Sequence, residues 1–158
     1  LHTNDAAGTI ARMMSLGVQA TGTIASALNL IVAQRLVRKV CTKCGERTSA
    51  TKEELQIIQD ALKTVPRGIS PKISTTLKVP KARGCPACNN TGYRGRVEIF
   101  ETIVVDDAME SYILGNPSIG NLRETAQKRG MVTMEQDGYI KVVEGITTIE
   151  EVRRVTTG

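Results

Sequence analysis

All four cysteines of the chain fall in two C-x-x-C pairs, Cys41-Thr-Lys-Cys44 and Cys85-Pro-Ala-Cys88. Two thiolates at this spacing can face one ion, and two such pairs complete the tetrahedral sulfur set that Zn²⁺ accepts. Gly45 follows the first pair and Gly84 precedes the second, as tight knuckle turns require. A closed four-sulfur shell leaves no position for water or substrate, so the pattern predicts one structural zinc per chain, held by Cys41, Cys44, Cys85 and Cys88. Two disulfides would need a secretory setting that nothing else in the sequence supports. A redox pair would need a thioredoxin-like strand-to-helix context that neither pair has.

A chain of 158 residues is long enough for one ordinary domain or two small ones that share a core. Hydrophobic residues make up 41% and charged residues 23%, which is globular and not disordered. With one Phe, three Tyr and no Trp, the core must be built from Leu, Ile, Val, Ala and Met. The longest apolar stretch, Thr23 to Ala33, is too short to cross a bilayer and is broken by Ser26 and Asn29. The expectation is a soluble, cytoplasmic segment. A formal charge of +5 suits an acidic partner and a solvated surface equally well. The opening Leu1-His2-Thr3-Asn4-Asp5 has neither initiator Met nor leader and reads as a strand running into a helix cap, as in a segment of a longer chain.

Local signals give an α/β chain with an α-rich C-terminal part. Thr3, Asn4 and Asp5 can cap a short helix that stops at Gly17. Ile24, Leu28, Ile31, Val32 and Leu36 recur at helical spacing, predicting a helix from Thr21 to about Arg38, with Arg35, Arg38 and Lys39 complementing its dipole. Thr51-Lys-Glu-Glu54 is a capping box for a helix to about Lys63, followed by a Pro- and Gly-punctuated loop that reaches Pro80. Arg94 to Val105 reads as a strand with Ile99 and Ile103 on one face. Asp106, Ser118, Thr133 and Thr148 can cap four further helices, which together read as a helical bundle. This divides the chain into residues 1–40, a tetracysteine arm over 41–92, and a strand with helices over 93–158.

The runs LHTNDAAGTIARMMSLG, AQRLVRKVC, GCPACNNTGYRGRVEIFE and TTIEEVRRVT, in this order and with both knuckles, resemble the C-terminal part of the type II secretion and type IV pilus-assembly ATPases. The resemblance implies a fragment of a RecA-like P-loop ATPase domain carrying a zinc-binding insert. It also implies a homo-hexameric motor that uses ATP and Mg²⁺. Its partners would be an inner-membrane platform and recruitment proteins, placing it in the cytoplasm at the inner membrane. By the same resemblance His2 is the histidine of the family's His box, near the γ-phosphate. Arg96, then Arg94, then Arg12 are the arginines that would reach a neighbouring subunit's nucleotide, where a cation stabilises developing charge.

A phosphate-cradling G-x-x-x-x-G-K-[ST] loop is missing from the chain; Gly115-Asn-Pro-Ser-Ile-Gly120 is followed by Asn121-Leu122 and reads as a turn and cap. Glu98 and Glu101 lie near the arginines without the marks of a metal pair, and Glu98 stands where relatives often carry a small residue. The segment alone is therefore expected neither to bind ATP tightly nor to hydrolyse it. The rival reading is a free-standing zinc ribbon that binds nucleic acid or protein. Only Tyr93 and Phe100 lie near the knuckles as stacking aromatics, which disfavours nucleic acid. A third reading is a purely structural zinc domain with no motor.

Overall fold

The computed structural model describes residues 3–18 and 25–157. Within it the chain divides into two units, Leu1–Gln34 with Phe100–Thr133, and Arg35–Ile99 with Met134–Gly158. Among the described residues there are six α-helices and four strands.

The first unit begins with α1, Ala6–Ser15, capped by Asp5, whose Oδ1 accepts the N–H of Gly8 at 2.7 Å. A second carboxylate serves the same helix end, since Glu101 Oε1 accepts the N–H of Ala6 at 2.9 Å. Both acids sit where orphan amides and the positive end of the helix dipole favour them. The strand β1, Leu30–Val40, pairs with β4, Tyr93–Val104, and each strand contributes residues to both units. Asp106 then caps α3, Asp107–Leu114, and Ser118 caps α4, Ile119–Lys128. Ala6, Ala7 and Ile10 of α1 pack with Ile31, Ile103, Met109, Ile113, Leu122 and Ala126 in one core.

In the second unit β2, Glu46–Ser49, and β3, Lys78–Lys81, pair antiparallel, with Glu46 opposite Lys81 and Arg47 opposite Pro80. Proline is tolerated there because, among the described residues, β3 has only β2 as a neighbour. Between them lies α2, Lys52–Leu62, opened by the capping box that Thr51 and Glu54 form. The helices α5, Met134–Glu144, and α6, Ile149–Thr156, complete the unit. They pack closely at Gly138, where an added Cβ would lie 2.7 Å from Cγ1 of Val152. Gln136 Nε2 on α5 donates to Ala61 O at 3.1 Å and Thr64 Oγ1 at 2.8 Å, and Arg47 Nη2 on β2 donates to Val143 O at 2.9 Å.

Three local expectations change. The helix expected from Thr21 to Arg38 is a 3₁₀ turn at Ala25–Ala27 followed by β1; residues 21–24 lie outside the described residues. Arg35, Arg38 and Lys39 are consequently strand residues, and Arg35 Nη1 instead donates to Val155 O near the C-terminus of α6. The loop expected to reach Pro80 ends in β3. The helices read as one bundle divide, α3 and α4 in the first unit, α5 and α6 in the second.

Candidate metal centre

The β2–β3 register brings the knuckles together. Glu46 faces Lys81, so Cys44, two residues before β2, and Cys85, four residues after β3, emerge at the same end of the hairpin. The first knuckle is closed by the N–H of Gly45, which donates to Cys41 O at 2.7 Å. The second needs a left-handed residue at Gly84, whose φ is 111° and where a Cβ would lie 2.7 Å from Asn90 O. Asn89 and Asn90 follow with φ of 51° and 58°, in the region asparagine tolerates best among non-glycine residues.

The four Sγ atoms lie within 4.8 Å of one another, with Cys44 to Cys88 at 3.7 Å and Cys85 to Cys88 at 3.8 Å. All four are free thiols. Bonds of about 2.3 Å to a central Zn²⁺ give a tetrahedron with edges of about 3.8 Å, so the spacing fits this ion and is too long for a disulfide. Burial pushes the Cys88 thiol up, but the N–H groups of Cys85 at 3.2 Å and Gly92 at 3.3 Å outweigh it and hold Cys88 at about 6. Burial pushes Cys44 up to about 12. Cys41 lies below its ordinary value, chiefly through the Lys43 amide and against burial. Four adjacent thiols cannot all ionise beside one another, whereas a divalent cation at their centre would favour the thiolate at each.

Directly after the second knuckle comes the segment with two candidate arginines. Gly92 is held from both sides, its O accepting the Cys41 N–H at 2.9 Å and its N–H donating to Cys88 Sγ. Arg94 and Arg96 follow on β4, exposed and without an ion pair among the described residues. Arg96 lines an open groove with Leu36, Arg38, Tyr93 and Glu98. Arg12 is exposed in the last turn of α1, in the other unit, and His2 lies outside the described residues. The structure thus brings Arg96 and Arg94 together with the cysteines in one unit. Glu98 and Glu101 take opposite sides of β4, exposed and buried respectively. Gly115–Gly120 is the turn and cap expected from its sequence, joining the end of α3 to Ser118.

Sequence reasoning missed the network beneath this segment. Glu151, with a fully buried side chain, accepts from Arg38 N at 2.9 Å, Nε at 3.0 Å and Nη2 at 2.6 Å, and from Arg154 Nε at 2.8 Å and Nη2 at 2.7 Å. The Arg38 guanidinium lies 4.3 Å from the centre of the Tyr93 ring. The Tyr93 hydroxyl meets Thr148 Oγ1 at 2.8 Å, and that oxygen also caps α6 by accepting the Glu151 N–H at 3.2 Å. Burial raises the Glu151 carboxyl, but its arginine hydrogen bonds prevail and hold it at about 2. Thr148 and Glu151 match a capping box by spacing. The only sequence signal against it is two arginines, Arg38 and Arg154, that one acid can serve, and their proximity is a tertiary fact.

Residues 1–154 match the family described as type II/IV secretion system protein. The chain is 38% identical over 96% of its length to the type IV pilus assembly ATPase PilB of Thermus thermophilus, of which it covers 16%. It is 37% identical over 96% of its length to the PilB of Myxococcus xanthus, covering 25% of that protein. To type II secretion system protein E of Pseudomonas aeruginosa it is 38% identical over 99% of its length, covering 28%. The chain therefore spans only a sixth to somewhat over a quarter of these curated relatives. None of the described helices is long and apolar enough to cross a membrane.

Proposed function

The chain belongs to the type II/IV secretion system protein family, and on that premise we propose that it is the C-terminal segment of a RecA-like motor ATPase for pilus assembly or protein secretion. The observation that carries the proposal is the family match over residues 1–154, joined to relatives whose names state an ATPase. The segment would supply His2 and the arginines Arg96, Arg94 and Arg12, while the phosphate loop and Mg²⁺ carboxylates would come from another part of the protein. Work would then arise in a hexamer, where an arginine offered across a subunit boundary stabilises charge developing at the γ-phosphate. The exposure of Arg94 and Arg96 on β4 is compatible with that role.

Cys41, Cys44, Cys85 and Cys88 would hold Zn²⁺, which, when bound, cross-links the two knuckles and takes no part in hydrolysis. The zinc-bearing arm would serve as a docking surface for the membrane platform. A nucleic-acid ribbon fits less well, because the Tyr93 ring is covered by Arg38 and its hydroxyl is engaged by Thr148.

The test is ATP turnover of a protein carrying this chain together with a P-loop half, wild type beside Arg96→Ala and His2→Ala, with zinc measured on the same samples. Turnover that falls in both variants at one zinc per chain supports the motor. Turnover indifferent to both substitutions refutes these residue roles.

A further inference from the structure

The candidate nucleotide-contact segment Tyr93-Arg94-Gly95-Arg96 is not a free strand end. It leaves the knuckle at Gly92, and Tyr93 is gripped on its face by Arg38 and at its hydroxyl by Thr148. Arg38 is in turn fixed by three hydrogen bonds to Glu151, one through its backbone N–H, and Glu151 and Thr148 both belong to the start of α6. A carboxylate with no exposed side-chain surface has little freedom to move, and two guanidiniums converging on it fix its orientation. Beyond Tyr93 the chain continues as β4 beside β1; Gly95 has a φ of 77°, where a Cβ would meet Lys39 Cδ at 3.9 Å, and the side chains of Arg94 and Arg96 are exposed.

We propose that Tyr93, Arg38, Thr148 and Glu151 form a brace through which α6 sets the position of Arg96 and Arg94, making Tyr93 and Glu151 positioning residues for the motor. The inference rests on the arginine roles proposed above. Tyr93 lies three residues from Arg96 on the same strand, at most about 10 Å of chain, so a backbone shift at Tyr93 is carried along β4 to the Arg96 guanidinium. Geometry of this kind acts on turnover, because a misplacement of about 1 Å can cost on the order of 10²-fold in rate.

The experiment measures kcat and KM for ATP in the P-loop-containing protein, wild type beside Tyr93→Phe, Glu151→Gln, Arg96→Ala and the double variant Tyr93→Phe with Arg96→Ala. Tyr93→Phe removes one hydroxyl and keeps the ring beneath Arg38, so folding and zinc content are retained. The expected result is a kcat reduced about three- to tenfold with KM within about twofold. Glu151→Gln lowers kcat in the same direction. In the Arg96→Ala background Tyr93→Phe adds nothing further, as follows if it acts through that arginine. Wild-type kcat in Tyr93→Phe, or losses that multiply in the double variant, would overturn the brace while leaving the arginine reading intact. Wild-type turnover in Arg96→Ala would overturn both.

Discussion

Replacing Glu151 by Gln tests the electrostatics of the second unit most directly. The carboxylate accepts five hydrogen bonds from two guanidiniums and one backbone amide. Glutamine keeps the shape but presents an amide NH₂ to arginine donors, so part of the contact becomes donor against donor. The carboxyl titrates at about 2 in the folded protein against its ordinary 4.5, which corresponds to roughly 3 kcal/mol of stability at neutral pH. Breaking a buried ion pair costs about 3–5 kcal/mol. The lower end applies because the side chains of Arg38 and Arg154 are 41% and 56% exposed and regain water when the carboxylate is lost. At about 2–4 °C per kcal/mol for a chain of this size, Glu151→Gln lowers the melting temperature of the whole chain by roughly 6–12 °C at pH 7. The folded carboxyl is depressed, so its contribution is fully present above pH 4.5 and drains away as pH falls towards about 2. The wild-type advantage must therefore shrink on acidification. Thermal melts of wild type and variant from pH 7 to pH 3, both kept free of metal because thiol protonation would release zinc on acidification, measure the gap. A gap under 2 °C at pH 7, or one unchanged at pH 3, would refute the reasoning.

Cys85→Ser is expected to reduce zinc from one ion per chain to none, read by elemental analysis. In the same variant hydrogen exchange should accelerate over residues 41–92 and in α5, which Arg47 and Gln136 tie to the arm, while α1, α3 and α4 keep their protection. Gly84→Ala forces a left-handed alanine against Asn90 O, and competition with a chelator should show zinc affinity weakened by about tenfold or more. Thr51→Ala removes the oxygen that accepts the Glu54 N–H at 3.1 Å and should cost about 1 kcal/mol in a denaturant titration, with zinc content unchanged.

The parts of the fold visible in the sequence are those decided within one turn of chain. Asp5, Thr51, Asp106, Ser118 and Thr148 each cap the helix that their spacing announces, because the capping oxygen and its amide lie two or three residues apart. The clustering of the four cysteines was legible for the same reason, each pair being local and the two pairs chemically alike. The strand β1 was not. Leu30, Val32 and Leu36 are exposed while Ile31 and Val37 are buried, so both faces carry apolar residues and the alternation of a half-buried strand disappears into an apparent helical period. Pro80 concealed β3 because proline ordinarily argues against a strand and is tolerated within one at an edge such as this. Glu151 was hidden because its partner Arg38 lies 113 residues away.

The division read from the sequence, with a tetracysteine arm over 41–92 apart from the strand and helices of 93–158, implies that losing a knuckle cysteine would loosen the arm and leave the helices after Asp106 folded. The hydrogen bonds argue for a different outcome. Arg47 closes the end of α5, Gln136 closes the end of α2, and Val40 donates to Ile146 O at 2.9 Å, so arm and C-terminal helices share polar groups that would be left unpaired if they separated. Nearer the cluster, Cys88 Sγ accepts from Gly92 and Cys41 N donates to Gly92 O, one residue before Tyr93. Chelation leaves the sulfurs without their common counter-ion, and the first backbone to feel it outside the knuckles is residues 92–96. Amide exchange there should quicken under mild chelator before α6 begins to open, because Glu151 still holds Arg38. Opening of α6 at the same rate as residues 92–96 would mean that the cluster and the Glu151 network yield as one cooperative unit.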